Sequence, residues 1–222
     1  MLKKILLNGK KIPVPVPIKT LPEAIAWVQK HLVRPDHLIT RLQLDGREME
    51  IQADGGVVLP ALALDENSDL RLKIDSPMEI CMQTIDALRN LSAVIGRNLK
   101  PVAVQLWEHK GHRMPVETRT VLDDVSLLVE LFEHVLVLVD RRVDLSNASS
   151  LQSQIGKAHA AIGLAVQQSD WRGLARVLLN QLEAPILEMP AELSSLEKLV
   201  MEIEVDRKVE RKMAAAGNTG SV

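Results

Sequence analysis

The feature that most constrains this chain is a change of rhythm near Ser76. Before it, Asn8-Gly9 and Asp45-Gly46 sit between short apolar-alternating runs; after Pro77, apolar residues recur at threes and fours over long stretches. Asn-Gly and Asp-Gly suit tight hairpin turns because both central residues tolerate positive φ. Three-and-four spacing instead marks the buried face of a helix. The chain therefore reads as α+β, with a strand-rich module over residues 1–75, a helical module over 76–210, and a tail, 211–222, expected to be disordered.

In the front module, Lys3 to Leu7 and Ile12 to Val16 flank the Asn8-Gly9 turn, and the prolines at 13, 15 and 17 cannot donate to a ladder. They place the second strand at an edge or leave it partly paired. Thr20, Pro22 and Glu23 open a helix whose stripe is Ala24, Ile25, Trp27, Val28, His31 and Leu32, stopping before Pro35. Residues 37–44 then alternate, predicting Leu38, Thr40, Leu42 and Leu44 on one side and Ile39, Arg41 and Gln43 on the other. Asp45-Gly46 turns that strand into Arg47 to Ile51, and Leu70 to Ile74 is the last strand. Gly55-Gly56 reads as a loop with unusual backbone angles, since a phosphate cradle needs further glycines and a Lys-Ser/Thr pair.

This order of hairpin, helix, hairpin, irregular segment and final strand resembles the ubiquitin-like β-grasp fold. The resemblance is one of topology and covers about a third of the chain. It implies a carrier, modifier or docking role. Carriers and modifiers require a free C-terminal Gly-Gly, whereas this sequence ends Asn218-Thr219-Gly220-Ser221-Val222, so docking is the expectation.

The back module opens at Ser76-Pro77-Met78-Glu79, which carries a Ser cap, Pro at the first helical position and Glu three residues on. Cys81, Ile85, Leu88, Ser92, Ile95 and Leu99 continue the stripe through Leu106, with Pro101 expected to kink or break the helix. A second helix follows Met114-Pro115 and closes at Asp140-Arg141-Arg142, with Val121, Val125, Leu128, Phe132, Val135 and Val139 inward. A third carries Leu151, Ile155, Ala158, Ile162 and Ala165, with Ala160, Ala161 and Gly163 expected to admit a close neighbour. A fourth runs from the Ser169-Asp170 cap to Pro185, and a fifth from Glu192 to about Met213. These stripes predict an antiparallel helical bundle. Burial of each large aliphatic side chain contributes roughly 1.5–3 kcal/mol, so the bundle needs no cofactor to fold. The helical module resembles small bacterial helical chaperones and adaptors, including those of flagellar export.

Composition narrows the function. With 27 basic against 29 acidic residues there is no overall field for phosphate backbones, and no Tyr, one Phe and three Trp leave few rings for base stacking. Nucleic acid is not the expected partner. The apolar run 127–139 is interrupted by Glu130, Glu133 and His134 and falls short of the ~20 residues of a membrane span. Only Ile5-Leu6-Leu7 follows the basic start, so no export signal is read. Cys81 lies among Met78, Ile85 and Leu88, and reads as a buried, inert thiol in a reducing, cytoplasmic setting.

Polar clusters offer little chemistry. His109 and His112 are three apart and point to a metal only with a further ligand such as Glu108 or Glu117, while Lys110 and Arg113 oppose it. His134 and His159 read as boundary histidines, and Ser146 to Ser153 lack a nucleophile motif. The strongest surface candidates are Trp171, Arg172 and Arg176, with Trp107, because Trp and Arg dominate interface energetics. Trp171 has a second reading as a lid on the bundle core. The expectation is a non-enzymatic adaptor or chaperone that binds a protein partner, uses no cofactor and is free to form homo-oligomers. The alternative is a metal- or small-molecule-binding regulator built on His109 and His112.

Overall fold

The computed structural model describes residues 2–14, 17–49, 62–111, 113–139 and 144–217, with side chains described as far as residue 205. The chain divides into two compact units, Met1–Ile80 and Cys81–Val222. Within the described residues it is α+β, a mixed five-stranded sheet followed by several helices.

The first unit contains β1 (Lys4–Leu7), β2 (Lys10–Pro13), α1 (Leu21–His31), β3 (Leu38–Leu44), β4 (Arg47–Met49) and β5 (Leu70–Asp75). Both hairpin turns carry the positive φ that their sequences demand, at Asn8 and Gly9 and at Asp45 and Gly46. The strand order is β2-β1-β5-β3-β4. β5 is parallel to β1, with Ile5 opposite Leu70, and antiparallel to β3, with Leu42 opposite Leu72. This arrangement is compatible with a β-grasp-like topology. β2 pairs with β1 alone, at the edge where its Pro13 is tolerated.

α1 starts with a complete capping box between Thr20 and Glu23 and buries Leu21, Ala24, Ile25 and Val28 in a cluster with Ile5, Ile39, Leu42 and Leu72. One expectation fails here. Register slips between Ile39 and Arg41, so Ile39 is buried together with Leu42 and Leu44, while Leu38 and Thr40 are exposed. An extra residue at a bulge shifts the phase of a strand, and strict alternation across Thr40 assigned Leu38 and Ile39 to the wrong sides. Pro15, Val16, Glu50, Ile51, Gly55-Gly56 and Asp140 to Arg142 lie outside the described residues.

The helical elements are α2 (Pro77–Glu108), α3 (Val116–Leu138), α4 (Ser146–Gln167), α5 (Trp171–Val177), a π-helical turn (Leu178–Leu182) and α6 (Glu183–Gly217). Ser76 and Glu79 form the expected box at the start of α2: Ser76 N donates to Glu79 Oε2 at 2.7 Å and Glu79 N donates to Ser76 Oγ at 3.2 Å. α2 runs unbroken past Pro101. Its stripe from Cys81 to Leu106 is buried, as are Val121 to Val135 on α3 and Leu151 to Ala165 on α4.

The packing is antiparallel. Arg89 pairs with Glu197 and Lys100 with Glu183, so α2 and α6 run in opposite senses. Ser126 of α3 bonds His159 of α4 at 3.0 Å, which makes His159 a satisfied boundary residue, whereas His134 is exposed. Pro185 does not end a helix: α5, the π turn and α6 follow one another without a break from Trp171 to Gly217. The π turn bonds Glu183 N to Leu178 O, five residues back. That wider turn precedes Pro185, whose ring would otherwise crowd the carbonyl four residues earlier. Leu174, Leu178, Leu182, Ile186, Met189 and Leu193 thus form one buried stripe.

Helical backbone continues to Gly217, past the start of the tail expected at residue 211, and 218–222 lie outside the described residues. Gly163 also departs from expectation. Nothing lies within 4 Å of a Cβ built there, whereas a Cβ built at Gly96 would stand 3.5 Å from Ile186 on a neighbouring helix. Among the described residues no helix is long and apolar enough to cross a membrane.

Candidate functional site

Two sequence segments 60 residues apart meet at one end of the bundle. α4 closes with a reversal at Ser169, a non-glycine residue at φ 54°, and Asp170 N donates to Ala165 O at 2.9 Å. Asp170 then caps the next helix, its Oδ1 accepting from Gly173 N at 2.8 Å. The carboxylate lies only 2.1 Å from where a Cβ of residue 173 would stand, so glycine there lets the cap fold inward.

This cap fixes Trp171 at the start of α5. Its Nε1 donates to the carbonyl of Gly111 at 2.9 Å, and its ring meets His109 edge-on, 6.2 Å between centroids. His109 Nε2 in turn donates to the Arg113 carbonyl at 2.8 Å, an arrangement that places its proton on that nitrogen. Trp171 is half-buried and anchors the loop that follows α2. The exposed ring is Trp107, open over 51% of its surface, with the Arg172 guanidinium 5.8 Å from its centroid. That separation is within cation–π range. Arg176 follows one turn later, its Nε donating to Arg172 O at 3.4 Å.

The structure thus gathers Trp107, Trp171, Arg172 and Arg176 with His109. His112 lies outside the described residues. His109 Nε2 is already engaged by the Arg113 carbonyl. Among the described residues no group of three His, Cys, Asp or Glu side chains is placed to hold a metal ion.

The surroundings are basic. Arg97, Arg172 and Arg176 have no carboxylate at ion-pair distance among the described residues, and Lys100 meets Glu183 at 3.0 Å. α5 carries no acidic residue in its first turn, and Arg172 is its second residue, after the Asp170 cap and Trp171. Sequence reasoning missed Val104 on α2 and Leu179 and Leu187 on the last helix, exposed over 58%, 36% and 68%. The available signal was that 97, 100, 104 and 107 continue one helical stripe set off from buried Leu99, Val102 and Leu106.

Other concavities differ in character. A hollow of about 460 Å³ on the outer sheet face is lined by Arg41, Arg71, Lys73 and Asp75. There Arg41 pairs with Glu48, Arg71 with Asp69, and Lys73 with Asp75. Arg41 and Arg71 hold the Glu48 and Asp69 carboxyls below their ordinary range by hydrogen bonding and charge. A cleft of about 460 Å³ between α2 and α3 includes Pro101, Gln105 and Glu117, whose carboxyl is lowered by its own amide and by Gln105. Between α4 and α6 a cleft of about 370 Å³ contains Glu188 and Glu192, and desolvation raises the Glu192 carboxyl. Cys81 is buried, and burial pushes its thiol up to about 11, which leaves it neutral and unreactive at physiological pH.

Set against protein-family models, curated proteins and solved structures, the chain matches none of them.

Proposed function

We propose that this protein is a non-enzymatic cytoplasmic adaptor or chaperone that binds a partner protein through the Trp107–Arg172 end of its helical bundle. The observation that carries the reading is the half-exposed Trp107 ring held beneath Arg172, on a framework pinned by the Trp171–Gly111 and His109–Arg113 hydrogen bonds. An aromatic ring and a guanidinium fixed before binding lose little side-chain entropy on contact, which is what a dominant interface anchor requires. The front unit is read as a β-grasp docking module, supported by its strand order and the parallel β1–β5 pair. The near balance of charge over the whole chain favours a protein partner over nucleic acid.

The test is affinity capture from the native cell by the intact chain and by Trp107→Ala in parallel, with melting curves on both. The expected result is a partner retained by the intact chain and released by the variant at unchanged melting temperature. Equal retention by both, or no stoichiometric partner, removes the reading.

A further inference from the structure

The seam between α2 and the last helix carries a face whose composition specifies its occupant. Along this antiparallel pair, Trp107 lies opposite Arg172, Lys100 opposite Glu183 and Gly96 opposite Ile186. On α2 the positions 97, 100, 104 and 107 form one outward stripe; on the partner helix 172, 176, 179, 183 and 187 form another. Val104, Trp107, Leu179 and Leu187 give the two stripes an exposed apolar content that the bundle core does not use. The charge of the two stripes is mostly positive, four cations against the single carboxylate of Glu183. Of the four cations Arg97, Lys100, Arg172 and Arg176, only Lys100 meets a carboxylate among the described residues.

We propose that this face receives an acidic amphipathic helix of a partner protein. The proposal rests on the reading above and adds the chemistry of the partner. Two ridges of side chains at three-and-four spacing form a groove that a third helix enters with its own apolar stripe. The stretch from residue 97 to 107 is about 15 Å long, matching roughly three turns. Asp or Glu on both sides of the incoming stripe neutralises Arg97, Arg172 and Arg176. A basic or neutral helix fills the same groove but leaves these three guanidiniums uncompensated.

The test uses the full chain with a benzophenone side chain in place of Val104, irradiated in the native cell, and a control with the same group at Val137. Val137 is exposed near the far end of α3, roughly 30 Å along that helix from its start. The expected adduct is a single protein segment of net negative charge with apolar residues at threes and fours. Its yield should fall at least tenfold in Arg172→Glu/Arg176→Glu. If that variant melts early, Arg172→Gln/Arg176→Gln takes its place, with loss of at least half the adduct expected. Adducts to lipid or RNA, to a segment without acidic residues, at yields equal to the Val137 control, or insensitive to the arginine substitutions overturn the proposal. Trp107-dependent capture combined with a non-acidic adduct removes the acidic helix and leaves the adaptor reading standing.

Discussion

Thr118→Val should make the helical unit more stable. Thr118 is fully buried on α3, on the face that also buries Val121 and Val125, and its hydroxyl has no hydrogen-bond partner among the described residues. Leaving a buried hydroxyl unpaired costs about 1–3 kcal/mol, because the water bonds it loses on folding are not replaced. Valine keeps the branched shape, exchanges the hydroxyl for a methyl and has a similar helix propensity. The expected gain is about 1–2 kcal/mol. For a chain of this size each kcal/mol moves the melting temperature by roughly 2–4 °C. Urea denaturation followed by far-ultraviolet circular dichroism measures it. Thr118→Ser is the matched control: it keeps the unpaired hydroxyl, loses the methyl, and should be less stable than wild type by about 1 kcal/mol. The predicted order of midpoints is Val, Thr, Ser. A valine variant below wild type would mean that the hydroxyl is bonded in the folded protein, and the argument would fail.

Three further outcomes follow from local geometry. The Cys81 thiol, pushed up to about 11 by burial, should resist a disulfide reagent at pH 8 until urea is added. Because folding raises this pKa, the contribution is intact below the unfolded value and is lost as pH climbs through about 11; prompt labelling of native protein would contradict it. Asn8 Nδ2 donates to Ile74 O at 2.9 Å while its Oδ1 accepts from Ile74 N at 2.8 Å. Asn8→Asp turns the donor into a second acceptor facing that carbonyl, so it should cost roughly 1–3 kcal/mol at neutral pH and speed exchange of the Ile74 amide. The deficit should shrink as acid protonates the introduced carboxylate and restores a donor, and a pH-independent deficit would count against the two-point clamp. Gly163→Ala should stabilise α4 by roughly 0.5–1 kcal/mol, since the site is helical with nothing within 4 Å of the new methyl; a lowered melting temperature would show a neighbour there.

Much of the architecture is written in signals that act over a few residues. The Thr20–Glu23 and Ser76–Glu79 boxes, the two positive-φ turns and the buried stripes of α2, α3 and α4 each depend on a residue and its neighbours three or four places away. Such interactions form in any context that lets the segment fold, so sequence spacing is enough to find them. Pro185 shows where this local reasoning runs out. A proline predicts a helix end, but the π turn before it re-registers the backbone, and the stripe through Leu182, Ile186 and Met189 buries enough apolar surface to keep one helix continuous.

The candidate site was only half legible. Its members Trp107, Trp171, Arg172 and Arg176 stand out by residue type, yet nothing in their order says that they meet, or which tryptophan is exposed. The Trp171–Gly111 bond spans 60 residues, and the contact between Trp107 and Arg172 exists because α2 and the last helix run antiparallel in one register. The side on which Ile39 falls was likewise set by a bulge opposite β5. Residue order by itself therefore determined the elements, their caps and most of their buried faces, because those follow from short-range sterics and hydrogen bonding. Tertiary packing decided helix continuity, strand phase and the gathering of one aromatic, basic surface, because each depends on which distant side chains compete for the same space.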